Sequence, residues 1–139
     1  MPKFTIIAFL TALLSFAQLS WAEEEGEEAS KPEAKYVELS PAFVTNFGQG
    51  SAKLKFVKAD VTLRVLGDES AQIVESNIPM VRHEIVMLLS SQSAEQMTQA
   101  ETQENLRLEA IKRINAVMEE ETGAARVDDL LFTTFVVQG

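Results

Sequence analysis

Few residues in this sequence have side chains suited to catalysis or metal binding. His83 is the single histidine, it precedes Glu84 in a largely apolar stretch, and the chain has no cysteine. A metal site would need a second histidine at ligand spacing, and a catalytic triad would need its nucleophile in a shaped turn such as G-x-S-x-G, which the sequence lacks. There is no glycine-rich phosphate loop either. We therefore predict no catalytic residue, no metal and no cofactor, and we expect that the protein is not an enzyme.

Arg82 is the residue most suited to recognition. It follows Val81 in the same apolar stretch, where a cation needs a partner. One interpretation is a salt bridge to a nearby carboxylate such as Glu75 or Glu84. The other is a contact with a second chain, because arginine is enriched in protein interfaces. We keep both interpretations: the internal ion pair is the first, and a candidate oligomer or partner contact at Arg82 is the second.

The charge balance limits the possible partners. The chain carries 12 Lys and Arg against 21 Asp and Glu, a net charge of −9. A protein this acidic has no electrostatic attraction to phosphate backbones, so we predict no nucleic-acid partner. The absence of cysteine also excludes disulfides and thiolate chemistry.

The first part of the sequence has the composition of an export segment and a linker. Residues 1–22 contain Lys3, a mostly apolar run and a small-x-small pair at Ser20 and Ala22, which predicts either a cleaved signal peptide or an uncleaved membrane anchor. Residues 23–35 are rich in glutamate and have no apolar periodicity, which predicts an acidic linker. In either case we expect the remaining domain, residues 36–139, to be exported.

Strand patterns occur at both ends of this domain. Short strands are predicted at residues 36–39 and 43–47, separated by a Ser-Pro pair, and a longer one at residues 54–66, where apolar and polar side chains alternate. The last strand, residues 127–138, is apolar on both faces, so we expect it inside the sheet. Strict alternation places on one of its faces Leu131, Thr133, Phe135 and Val137, and on the other Leu130, Phe132, Thr134 and Val136.

Helical patterns fill the middle of the domain. Apolar residues recur at spacings of three and four between Val74 and Leu88, and Pro79 should kink this helix or begin a second one. Thr98 and Glu101 have the spacing of a capping box at the start of the next helix. The order of strands, helices and a final strand predicts an α+β domain, with an antiparallel or mixed sheet and two or three helices packed on one face.

Four blocks of sequence follow one another along the domain: residues 36–39 with 43–47, residues 54–66, residues 81–86 with 88–90, and residues 106–109 with 132–138. The last of them ends in FTTFVVQ at residues 132–138. Taken in this order, the blocks resemble the FliL family of flagellar basal-body-associated proteins, and FTTFVVQ is similar to the closing motif of that family. The chain differs from the family pattern at its start, where a short apolar segment replaces a basic tail and a strong transmembrane helix.

The resemblance implies a fold of the stomatin/prohibitin type and a role in flagellar motility without enzymatic activity. It implies a homo-oligomer that supports the stator units of the motor and contacts other basal-body proteins. It also implies a location on the periplasmic side of the inner membrane at the flagellar basal body, or in the periplasm if the leader is cleaved. The alternative is a free periplasmic binding or scaffold domain on the same fold, unrelated to the motor.

Overall fold

The part of the chain that is described in the computed structural model is residues 31–139, which contain three strands and four helices. The predicted signal peptide or anchor and most of the acidic linker lie outside these residues. The strands and helices follow in the order β1 (Ala34–Phe47), β2 (Lys55–Leu66), α1 (Asp68–Ser76), α2 (Ile78–Ser90), α3 (Ala94–Met97), α4 (Thr102–Thr122) and β3 (Val127–Gln138).

The strands form one antiparallel sheet in the order β1-β2-β3, with β2 in the centre. Helix α2 packs against β1 and helix α4 against β3, so the helices cover one face of the sheet. The predicted α+β class with an antiparallel sheet is confirmed, with four helices in place of two or three. Nothing in the fold tests the predicted stomatin/prohibitin type.

Alternation along β2 builds the core as the sequence predicts. Every second residue of this strand points toward the helices and is almost fully buried, because a strand sends successive side chains to opposite faces. Burial of these side chains against the helices removes their apolar surface from water and is the main stabilising contribution. The buried residues of β2 are Val57, Ala59, Val61, Leu63 and Val65.

Strand β1 is one strand and not the two that were predicted. Leu39 pairs with Val61 and Phe43 with Ala59, so β1 has three residues where β2 has one, and this bulge holds the Ser-Pro pair. The bulge adds an even number of residues, and Leu39 and Phe43 therefore both stay on the buried face. The proline interrupts the ladder locally without ending the strand.

Strand β3 lies at an edge of the sheet, and its predicted position inside the sheet is wrong. Thr134 pairs with Asp60 while Phe132 pairs with Val61, so Thr133 is an extra residue that reverses the alternation. Phe132 and Phe135 consequently share the helix-covered face, where their ring centroids lie 5.2 Å apart, edge to face. The apparent two-sided apolar pattern therefore arises from a change of parity at the bulge and not from burial on both faces.

The helix starts differ in one respect from the sequence prediction. Pro79 lies in the first turn of α2 and begins that helix, as predicted. The capping box, however, is formed by Ser93 and Gln96 at α3, and the one predicted at Thr98 and Glu101 is wrong. Both pairs fit the same spacing, but the Thr98 hydroxyl donates to the carbonyl of Glu95 within the preceding turn.

Candidate functional site

Arg82 joins helix α2 to the bulge of β1. Its Nη1 donates hydrogen bonds to the carbonyl oxygens of Leu39 and Pro41, at 3.1 and 2.8 Å. Its guanidinium carbon lies 4.1 Å from the centroid of the Phe43 ring, a distance at which the cation is attracted to the ring face. The arginine therefore binds one carbonyl just before the bulge and one inside it, and it covers the buried Phe43.

The contacts of Arg82 differ from the predicted salt bridge. Within residues 31–139 it forms no ion pair with Glu75, Glu84 or any other carboxylate. The bulge interrupts the ladder of β1, so carbonyl groups there need donors from elsewhere, and the planar guanidinium supplies them. Its Nε and Nη2 donate no hydrogen bond within the described residues. The predicted contact with a partner chain remains a prediction.

The histidine and the phenylalanines of the strands lie in different environments. His83 is exposed on α2. Within residues 31–139 no group of three or more His, Cys, Asp and Glu side chains is placed to hold a metal ion. Phe43 and Phe47 are buried in the core, while Phe132 and Phe135 are partly buried against it.

The face of the sheet opposite the helices carries a depression that the sequence analysis did not identify. We call this surface the open-face patch, and its residues are Val44, Phe56, Lys58, Val136 and Gln138. Val44, Lys58 and Val136 form one row across the three strands. The depression has a volume of about 410 Å³.

The apolar side chains of the open-face patch are accessible to solvent. The exposed fractions are 64% for Val44, 38% for Phe56 and 41% for Val136. Lys58 forms no salt bridge within the described residues, so its ammonium group can pair with an acidic group of a partner. Exposed apolar surface that is contiguous and rimmed by polar groups is typical of protein interaction sites. The signal in the sequence was Phe56, whose parity is opposite to that of the buried residues of β2.

Polar contacts at the other end of the domain fix α4 against β3. Arg107 donates to Glu104 at 2.8 Å and also pairs with Asp129. The hydrogen bond from Arg107 lowers the pKa of Glu104 below its ordinary value. The Asn115 amide oxygen accepts from the backbone N–H groups of Arg126 and Val127, at 3.1 and 2.9 Å, and its nitrogen donates to the carbonyl of Val127.

None of the helices within residues 31–139 is long and apolar enough to cross a lipid bilayer.

The fold and these contacts define a small α+β domain in which, within residues 31–139, helices cover one face of the sheet. The family described as "Flagellar basal body-associated protein FliL" matches residues 36–138. A "Flagellar protein FliL" from Aquifex aeolicus (strain VF5) is 32% identical over 100 residues, which cover 72% of this chain. The chain therefore belongs to the FliL family of flagellar basal body-associated proteins, and the resemblance of the four sequence blocks is confirmed.

The matched region spans 59% of the length of the Aquifex relative, less than two thirds of that protein.

Proposed function

We propose that this protein is a flagellar basal-body accessory protein that self-associates through the open-face patch and supports the stator units of the motor. The membership of the FliL family supports the association with the basal body. The proposed location is the periplasmic side of the inner membrane, reached through the apolar residues 1–22. The proposed mode of action is binding, without catalysis.

The observation that carries the proposal is the exposure of the open-face patch. When a second surface covers the apolar residues on the outer face of the sheet, it removes them from water, and this burial favours association. Val44, Phe56 and Val136 come from three different strands, so a partner that covers them contacts the whole width of the sheet. The patch belongs to every copy of the chain, and a two-fold contact between copies would bring like patches together.

The test replaces Val44 and Val136 together by glutamate in the full chain. Both side chains point to solvent, so the fold should persist. Two carboxylates beside the single Lys58 leave each patch with a net negative charge and less apolar surface, so like patches should repel each other. We expect weaker self-association in sedimentation velocity and slower swimming when this variant replaces the native protein in cells. The matched control is Leu108→Glu, since Leu108 is 53% exposed on α4, away from the sheet.

The proposal fails if the double variant sediments and supports swimming as the native chain does. It also fails if Leu108→Glu gives an equal loss, because charge alone would then explain the effect. Melting curves of all three proteins verify that the fold is intact before either outcome is interpreted.

Arg82 is a second proposed contact. Its Nη1 is engaged in two internal hydrogen bonds, and only its Nε and Nη2 remain for a partner chain. A lysine at this position keeps the charge but cannot present a planar fork. If Arg82→Lys weakens self-association at a stability equal to that of the native protein, Arg82 contacts the partner; a loss that follows the change in stability assigns it to the fold alone.

A further inference from the structure

A second concavity lies on the helical side of the domain and shares no residue with the open-face patch. It is a groove of about 260 Å³ between the end of α2, α3 and the start of α4. Two buried leucines contribute to it, and amide side chains form most of its polar lining. The leucines are Leu88 and Leu106, and the amides are those of Gln92, Gln96, Gln99 and Asn105.

Two of the amides are held in place by the backbone. The Gln92 nitrogen Nε2 donates to the carbonyl of Leu88 at 3.1 Å, and the Gln96 oxygen Oε1 accepts from the N–H of Ser93 at 2.9 Å. An amide side chain has two N–H donors and an acceptor oxygen, so Gln92 keeps its Oε1 as an acceptor and Gln96 keeps its Nε2 as a donor. The groove therefore contains a positioned acceptor, Oε1 of Gln92, and a positioned donor, Nε2 of Gln96.

The other two amides are uncommitted. Neither Gln99 nor Asn105 makes a side-chain hydrogen bond within residues 31–139, and both are exposed. One amide side chain can accept from a peptide N–H and donate to a peptide C=O at the same time. Side-chain amides of this kind can pair with both the donors and the acceptors of an extended polypeptide backbone, whose main-chain hydrogen bonds give affinity when such a segment binds a protein.

The size of the groove favours a segment of chain over a small molecule. Sites that enclose small-molecule ligands have volumes of roughly 300–1,000 Å³ and surround most of the ligand surface. This groove is smaller and open along one side, which suits a chain that enters and leaves it. Among the described residues no aromatic side chain lines it, so this part of the chain offers no flat apolar surface on which a sugar ring would stack.

The charge around the groove favours a basic ligand. Glu109, which also lines it, accepts from Arg113 at 2.9 Å, and this hydrogen bond lowers the pKa of Glu109. Glu95 and Glu101 adjoin lining residues in the sequence, are exposed and form no salt bridge within the described residues. The whole chain carries a net charge of −9, which attracts cationic partners and repels anionic ones.

We propose that this groove binds an extended, basic polypeptide segment of a partner protein, whose backbone pairs with the amides of Gln92, Gln96, Gln99 and Asn105. The inference is independent of the proposed function, because it concerns a different surface and requires no self-association.

The experiment titrates the full chain, labelled with nitrogen-15, with a short synthetic peptide of alternating serine and lysine. We expect the side-chain amide signals of the four lining residues to shift saturably. Affinity should fall by about tenfold or more for the Gln99→Leu, Asn105→Leu double variant, since it loses two amide pairs. Gln103→Leu is the matched control, because Gln103 is exposed on α4 and does not line the groove.

Three further probes separate the chemical causes. The same peptide with N-methylated backbone amides should bind about tenfold more weakly, because its N–H donors are removed. A peptide of alternating serine and glutamate should not saturate the groove. The proposal is overturned if the double variant binds as the native chain does, if saturation occurs only with an oligosaccharide of N-acetylglucosamine, or if no probe shifts the four amide signals.

Discussion

Arg82 lies over the ring of Phe43, 4.1 Å from guanidinium carbon to ring centroid, and binds the two backbone carbonyls on either side of Ser40. The contact joins residues from a helix and a strand that are far apart in the sequence. It explains how β1 can contain a proline, and three residues opposite a single residue of β2, and still pair with β2 on both sides of the bulge. The arginine replaces the ladder hydrogen bonds that the bulge cannot make.

Removing this arginine should destabilise the domain. We expect Arg82→Met to lower the free energy of unfolding by about 1–3 kcal/mol, because the carbonyls of Leu39 and Pro41 lose their donor and Phe43 loses the cation above its ring. The measurement is equilibrium unfolding in urea. The control is Arg113→Met, which removes a surface ion pair with Glu109 and should cost less than about 1 kcal/mol. Equal costs for the two variants would mean that the Arg82 contacts do not stabilise the bulge.

Neighbouring leucines on β3 give a direct test of which face is covered. Leu130 is fully buried and Leu131 is 39% exposed on the opposite face. Leu130→Ala should cost about 2–5 kcal/mol, because it leaves a cavity under the sheet, and Leu131→Ala about 0.5 kcal/mol or less. Thermal and urea unfolding of both variants measure this. Similar losses at the two positions would contradict the assigned register of β3.

Asn115 is expected to stabilise the connection from α4 to β3. Its amide makes three hydrogen bonds to the backbone of Arg126 and Val127. Asn115→Ala leaves those groups without a partner and should lower the free energy of unfolding by about 1–3 kcal/mol. Asn105→Ala changes the same residue type on the same helix at an exposed position and should have little effect. Hydrogen exchange at the amide of Val127 provides a local readout, and unchanged protection there would refute the role.

The ion pair between Glu104 and Arg107 predicts a dependence of stability on pH. Arg107 lowers the folded-state pKa of Glu104, so the stabilisation is present above the unfolded value of about 4.3 and is lost as the pH falls through the folded value. Glu104→Gln should therefore lower the melting temperature at about pH 7 and have little effect at about pH 2. Glu120→Gln, at an exposed position of α4 without an ion pair, should show no such difference. If the difference in melting temperature between the native protein and Glu104→Gln does not change with pH, this account is contradicted.

Local patterns in the sequence predicted the elements of this fold better than their arrangement. Alternation along β2 identified its buried face, because the extra residues at the bulges lie in β1 and β3 and the alternation of β2 is unbroken. The position of β3 could not be obtained in this way, since one inserted residue, Thr133, reverses the parity of everything after it. Two capping patterns, Ser93 with Gln96 and Thr98 with Glu101, have the same spacing in the sequence, and only the structure shows that the first of them forms the box.

The candidate sites were predictable to different degrees. Arg82 was identified because a cation in an apolar stretch requires a partner, but its true partners are carbonyl groups that only the bulge makes available. The open-face patch combines residues from three strands, so no local pattern contains it. The groove between α2, α3 and α4 likewise combines three helices, and their packing is set by core residues elsewhere.

The central position of β2 has a consequence for the folding pathway. Its pairing with β1 closes a short loop, whereas its pairing with β3 joins residues as far apart as Phe56 and Gln138, a separation of 138 − 56 = 82. Closing a longer loop costs more chain entropy, and proteins rich in distant contacts fold more slowly. We expect the hairpin of β1 and β2 to form early, with its apolar face in contact with water until the helices and β3 dock. The docking of β3 should then be the slow step of folding.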